Sequence, residues 1–279
     1  MPRGVHVVRT IRYIARLLPL LLIAGSEAVL AQGAEPADDF DRYILQQLDE
    51  AGVPGAAVVV SHRGEVLFAR GYGFANVEWQ AEATARTVFE IASVTKLFTA
   101  LSAMMLVEDG LLDLDRSISR YIEETPQSHS AITARHLLTH TAGLESSYYD
   151  PQKLLAPAPM RYTVEAQLAD LFAQPLKFEP GTAHEYADAG MFLLGVVIAR
   201  SSGLTYEEFV RSRILDPAGM TQTSFIDAER VIPQRAQGYT LRRSSLVRWS
   251  VEGTMQALDQ NAFAGMLSTA WDLNLFHEA

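Results

Sequence analysis

Residues 89–100, Phe89-Glu90-Ile91-Ala92-Ser93-Val94-Thr95-Lys96-Leu97-Phe98-Thr99-Ala100, read as an extended lead passing into an apolar helix. Ser93 and Lys96 stand three apart, and positions three apart on a helix share a face. The lysine amine can therefore lie beside the serine hydroxyl. Serine is a poor nucleophile until a neighbouring base takes its proton. A lysine can serve where burial or nearby cations favour its neutral form. A helix start adds outward N–H groups that favour developing negative charge. Ser-x-x-Lys alone is common and most often marks a solvated helix face. Context raises it here. Leu97, Phe98, Leu101, Met104 and Met105 make the segment apolar, which predicts a partly buried first turn, and Gly110 supplies a stop.

The chain has 279 residues, enough for one large domain or two interleaved small ones, and is 48% hydrophobic, which excludes wholesale disorder. It holds no cysteine, which excludes disulfides, thiolate catalysis and cysteine zinc sites. Residues 1–31 have the order of an export signal: Arg3, Arg9, Arg12 and Arg16, an apolar run Leu17–Ala24, then Val29-Leu30-Ala31 as a small-residue cleavage site. The run is shorter than the ~18–20 residues that span a bilayer, which disfavours an uncleaved anchor. With no cysteine after it, a lipoprotein anchor is excluded. The expectation is a signal peptide over 1–31, a single domain over 32–279, and a periplasmic or secreted protein without stable membrane insertion after cleavage. The leader holds four of the 23 basic residues and one of the 33 acidic ones, so the remainder carries a net charge of −13. Such a surface repels nucleic acid and anionic membrane.

The rest of the chain sorts into short elements. Asp38 or Asp39 is expected to cap a helix to about Glu50, with Phe40, Ile44, Leu45 and Leu48 on one stripe and Gly52 ending it. Gly55–Ser61 and Glu65–Gly71 read as strands joined at His62-Arg63-Gly64. Helices are expected over 131–144 in part, from Thr163 to about Phe172, over Met191–Ser201 with Gly203 closing it, and from Tyr206 to about Leu215 behind a Thr205/Glu208 capping box. Glu145–Met160 reads as a long surface loop, Ile226–Gln260 is poorly patterned, and Leu267–Phe276 looks helical. Strand signals cluster in 55–75. A lone hairpin is barely stable and must find partners.

Three further segments bear on Ser93. Tyr186-Ala187-Asp188 follows the turn Phe178-Glu179-Pro180-Gly181-Thr182. Arg135-His136-Leu137-Leu138-Thr139-His140-Thr141-Ala142-Gly143-Leu144 precedes the long loop, and Pro217-Ala218-Gly219-Met220-Thr221-Gln222-Thr223-Ser224-Phe225 follows the capped helix. In that order, behind Ser93-Val94-Thr95-Lys96, they resemble the serine β-lactamase and penicillin-binding-protein superfamily. The likeness runs from about Asp38 to Phe276 and is greatest to the class C branch, which also holds D-alanyl-D-alanine carboxypeptidases, D-aminopeptidases and carboxylesterases.

The resemblance implies an α+β, β-lactamase/transpeptidase-like fold: an antiparallel sheet, the Ser93 helix packed on its hairpin, and an all-helical lobe from about 112 to 225. It implies Ser93 as the acylated nucleophile, Lys96 as proton acceptor or tuning group, and Tyr186 as the proton shuttle of the family's Tyr-x-Asn motif. The implied substrate is a small molecule or a peptidoglycan-like peptide carrying an amide, β-lactam or ester bond, with no cofactor. Asp188 departs from the pattern, since a carboxylate only accepts hydrogen bonds where an amide also donates. A metal pair at His136 and His140 is disfavoured, with no following glutamate and no third ligand in view. Gly-x-Ser-x-Gly is absent, which disfavours an α/β-hydrolase. The family's third motif, Lys-Thr-Gly or His-x-Gly, does not occur after Tyr186. The resemblance therefore leads us to expect a truncated copy of the domain, one oxyanion donor fewer, and association through an unpaired sheet edge. The alternative is an impaired relative that only binds a ligand or partner chain.

Overall fold

The computed structural model describes residues 36–146, 162–227, 229–242, 245–249, 258 and 260–279. The expected signal peptide, and the expected surface loop from residue 147 onward, lie outside the described residues. The chain divides into two compact units, Met1–Tyr43 and Ile44–Ala279. In the first, the described residues begin helix α1 (Pro36–Ala51). Proline's fixed φ suits a first helical turn, so Asp38 and Asp39 fall inside that turn and not at its cap. Everything below concerns the second unit.

Strands β1 (Gly55–His62) and β2 (Glu65–Asn76) pair antiparallel, from Gly55 opposite Gly73 to His62 opposite Glu65. Arg63 and Gly64 both take positive φ, 53° and 80°. That is the turn whose twist matches two right-handed strands. β2 runs past its expected end at Gly71, and β3 (Ala81–Glu82) pairs with its far end. Gly71 permits this return: a Cβ there would stand 2.0 Å from the Ala83 carbonyl oxygen.

β4 (Phe89–Glu90) leads through a tight turn (Ala92–Val94) into α2 (Thr95–Glu108). The helical lobe follows as α3 (Ala134–Leu138), α4 (Val164–Phe172), α5 (Asp188–Ser202) and α6 (Tyr206–Val210), the last continued by a wider turn over Arg211–Leu215. Thr163 caps α4, Thr205 and Glu208 form the expected capping box, and Gly203 ends α5 at φ 74°. β5 (Ser224–Phe225), the hairpin β6 (Tyr239–Arg242) and β7 (Ser245–Arg248), β8 (Met266–Ser268) and α7 (Ala270–Glu278) complete the described elements. Beyond β2, the described strands are short pieces of two to four residues. β8 is the middle strand of a second sheet, ordered β4-β8-β5.

The predicted helix over Leu267–Phe276 is thus a strand and then a helix, with Thr269 as its cap. The Ser93 helix is not the helix laid along the hairpin. That helix is α7, in contact with β1, and its Phe276 stacks on Phe98 of α2 at 4.3 Å. Ser61 Oγ donates to Glu278 Oε1 at 2.7 Å, fixing the end of α7 on β1. The core gathers Phe98, Phe192, Tyr206, Phe209 and Phe263, all fully buried, between α2, α5, α6 and the segment before β8.

Candidate active site

The chain reaches Ser93 under tension. β4 is held by pairing Phe89 with Ser268 and Glu90 with Leu267, and Ile91 N–H donates to the Met266 carbonyl at 3.1 Å. Ala92 then takes φ 43°, a left-handed conformation that costs a residue with a Cβ. Ser93 lies in the tight turn and is exposed, while Lys96, in the first turn of α2, is buried. The sequence places Ser93 at the helix start; the α-helix itself begins two residues later, at Thr95.

Lys96 and Tyr186 converge on the serine oxygen. Lys96 Nζ donates to Ser93 Oγ at 3.1 Å, and the Tyr186 hydroxyl donates to the same oxygen at 2.8 Å. Lys96 Nζ also lies 2.9 Å from the Phe263 carbonyl and 2.8 Å from Asp188 Oδ1. Ser93 Oγ and the Phe263 carbonyl accept hydrogen bonds from the ammonium, while Asp188 Oδ1 faces it as a charge at ion-pair distance without a hydrogen bond of its own. The tyrosine ring faces that ammonium at 4.8 Å. All four residues singled out in the sequence, Ser93, Lys96, Tyr186 and Asp188, therefore meet at one place.

α5 carries Asp188 as its first residue, and Ala187 precedes it in extended conformation. The turn before Tyr186 depends on Gly181 at φ 87°. Lys177 bridges Glu145 and Glu185, tying the two chain segments that flank the tyrosine. Lys177 is held above its ordinary range by those carboxylates, Glu145 first, and Glu145 is held below its own range by Lys177.

Some residues of the site carry no sequence signal. The Phe263 carbonyl is main chain. Its segment is seated by Thr99, which donates to the Ala262 carbonyl at 2.5 Å, and by Thr95, whose Oγ1 accepts from Met266 N–H at 3.2 Å. Gly195 of α5 makes room for that segment, since a Cβ there would come 2.6 Å from the Ala262 side chain. The sequence offers His140 as part of a turn motif and as half of a disfavoured metal pair, not as a neighbour of Tyr186. His140 packs against the Tyr186 ring in a tilted arrangement and is pushed below the usual histidine range by burial, then by Lys96 and His184. His136 belongs to α3, where its Nδ1 accepts from Thr133 N–H at 3.3 Å, while His140 lies beyond the helix. Among the described residues no group of three or more histidine, aspartate or glutamate side chains is placed to hold a metal ion.

The Beta-lactamase family model matches residues 40–278, and the chain belongs to that family. Esterase EstB of Burkholderia gladioli is 32% identical over 209 residues, covering 70% of this chain and 53% of its own length. Protein flp of Staphylococcus aureus strain N315 is 28% identical over 211 residues, covering 74% of this chain and 42% of its own. The octameric penicillin-binding protein homologue from Pyrococcus abyssi superposes with a TM-score of 0.75 at 31% identity, covering 88% of this chain and 56% of that one. The D-amino acid amidase from Ochrobactrum anthropi SV3 complexed with D-phenylalanine gives 0.73 at 27% identity, covering 87% and 70%. The fold is β-lactamase/transpeptidase-like, α+β with antiparallel sheets. The chain spans about half the length of the curated relatives it matches.

Proposed function

We propose that this protein is an exported serine hydrolase that forms an acyl-enzyme at Ser93 on a small-molecule or peptide substrate bearing an ester, amide or β-lactam bond. The observation that carries the reading is the double contact on Ser93 Oγ, from Lys96 at 3.1 Å and Tyr186 at 2.8 Å. Ser93 Oγ attacks the acyl carbon, and its proton passes to the leaving group through Tyr186. The leaving group departs protonated, and water then releases the acid and restores Ser93. Lys96 keeps a positive charge beside the reacting oxygen, where it favours the developing oxyanion. The relatives named as an esterase, an amidase and penicillin-binding proteins support this reaction class. They do not select among its substrates, since one fold hosts many.

A fluorophosphonate and a fluorescent penicillin, applied to the full chain, test the reading. Ser93→Ala is expected to abolish labelling, and Lys96→Ala to cut it by about 10²-fold or more. Labelled protein is expected in the periplasmic or secreted fraction, with its N-terminus near Gln32. Labelling that survives Ser93→Ala moves the nucleophile elsewhere. No labelling of the wild-type chain favours a relative that only binds a ligand or a partner chain.

A further inference from the structure

We propose that His140 is the positioning residue that holds Tyr186 against Ser93, and that protonation of His140 releases this hold. The inference rests on the roles given to Ser93 and Tyr186 above. His140 grips three consecutive residues. Its carbonyl accepts the Glu185 N–H at 3.0 Å, its ring lies on the Tyr186 ring with centroids 4.7 Å apart at 36°, and its Nδ1 accepts the Ala187 N–H at 3.3 Å. To do so it adopts φ 55°, a left-handed backbone uncommon for a residue with a side chain. Such strain persists where surrounding contacts over-determine it. The three contacts to 185–187 are those contacts.

The grip depends on charge. Nδ1 accepts a hydrogen bond only while it carries no proton, so the neutral ring has its proton on Nε2. A second proton would turn Nδ1–H against the Ala187 N–H and place a new cation near Lys96. The titratable groups facing His140 are Lys96 of α2, His184 and Tyr186 of the preceding turn, and Asp188 at the start of α5. Burial, Lys96 and His184 all disfavour the imidazolium, and only Asp188 among those charges favours it. Tyr186 is therefore held at neutral pH, and the hold fails on the acid side of the ordinary histidine value, about 6.5.

The test compares wild type, His140→Ala and His140→Asn in the full chain. Asparagine keeps a short acceptor and tolerates the left-handed backbone, but does not titrate. Acylation by p-nitrophenyl butyrate is measured against pH, with melting followed in parallel. His140→Ala is expected to lose about 10²-fold in kcat with KM little changed, the scale of a displaced catalytic group. His140→Asn is expected to recover part of that loss and to lack the wild-type acid limb. Nitrogen-15 spectra of the imidazole at neutral pH should show Nδ1 unprotonated, and the Tyr186 ring signals should move as His140 titrates. An acid limb unchanged in His140→Asn, wild-type kcat in His140→Ala, or a proton on Nδ1 at neutral pH overturns the proposal. If wild type is not acylated at all, the hydrolase reading fails. The spectra still decide whether His140 holds Tyr186.

Discussion

Helices α2 and α5 each deliver half of the site, and they bury themselves in opposite ways. α5 encloses ten consecutive residues, Ala189 to Ile198, all of them apolar or glycine. α2 turns Thr95, Thr99 and Ser102 inward beside Phe98, Ala103 and Leu106, and leaves Leu97, Leu101 and Met104 outside. Every inward hydroxyl has a partner. Ser102 donates to the Phe98 carbonyl at 2.7 Å, and Thr99 meets the Tyr206 hydroxyl at 2.7 Å as well as the Ala262 carbonyl. Burial pushes the Tyr206 phenol far above its usual range, so it stays a donor to Thr99. α5 is a packing axis. α2 is a hydrogen-bonded seam that sets the register of residues 262–266, and so brings the Phe263 carbonyl to Lys96.

The largest expected effect falls on α5. Phe192 is fully buried in the core, and Phe192→Ala should cost about 3–5 kcal/mol by lost transfer energy and a residual cavity. Urea unfolding followed by circular dichroism measures it. A loss under about 1 kcal/mol would mean that α5 is not the axis described. The seam should answer to a different change. Thr99→Val keeps the volume but strands the Tyr206 hydroxyl and the Ala262 carbonyl, at about 1–3 kcal/mol. It should also slow labelling of Ser93, because residues 262–263 lose their anchor. Stability lost without any change in labelling would separate the seam from the site.

That difference also explains what could be read from the chain. Ser93, Lys96 and Tyr186 were legible because their spacing and neighbours are properties of side chains, and α5 because an apolar run stands between Pro180-Gly181 and Gly203. The partly buried first turn of α2 was legible, but which face it buries was not. Leu97, Leu101 and Met104 are as apolar as Phe98, so hydropathy does not pick the inward face, which is set by acceptors on Ala262 and Tyr206, far away in sequence. Residues 260–268 were unreadable for a related reason. They act through main-chain carbonyls and N–H groups, which no residue type announces, and β8 is too short for an alternating pattern. The hairpin β6–β7 was missed because Leu241 and Leu246 are both exposed, so its strands show no buried stripe.

Where the two helices meet, Asp188 of α5 faces Lys96 of α2 at 2.8 Å. The carboxylate partly offsets the Lys96 charge that Ser93 feels. Asp188→Asn would leave a cation beside the reacting oxygen, and an acyl oxygen gaining negative charge would be favoured. Acylation should quicken about tenfold, equivalent to ~1.4 kcal/mol of transition-state stabilisation. Slower acylation in stopped-flow labelling would show instead that the carboxylate is needed to hold Lys96 in place.

The smallest effect belongs to the outer side of α2. Leu97, Leu101 and Met104 are 57%, 39% and 46% exposed and lie at helical spacing along one stripe. Glutamine is nearly as good a helix former as leucine or methionine, so replacing all three tests burial with little change in propensity. If α2 is held by its polar seam, the triple variant should unfold within about 0.5 kcal/mol of wild type per site. It should also associate less, since an exposed apolar stripe is removed. Urea unfolding at two protein concentrations, with light scattering alongside, measures both. A loss above about 2 kcal/mol at both concentrations would mean that this side of α2 is covered within the folded chain, and would erase the contrast with α5. A loss that appears only at the higher concentration would place a second copy on the stripe and leave the seam intact.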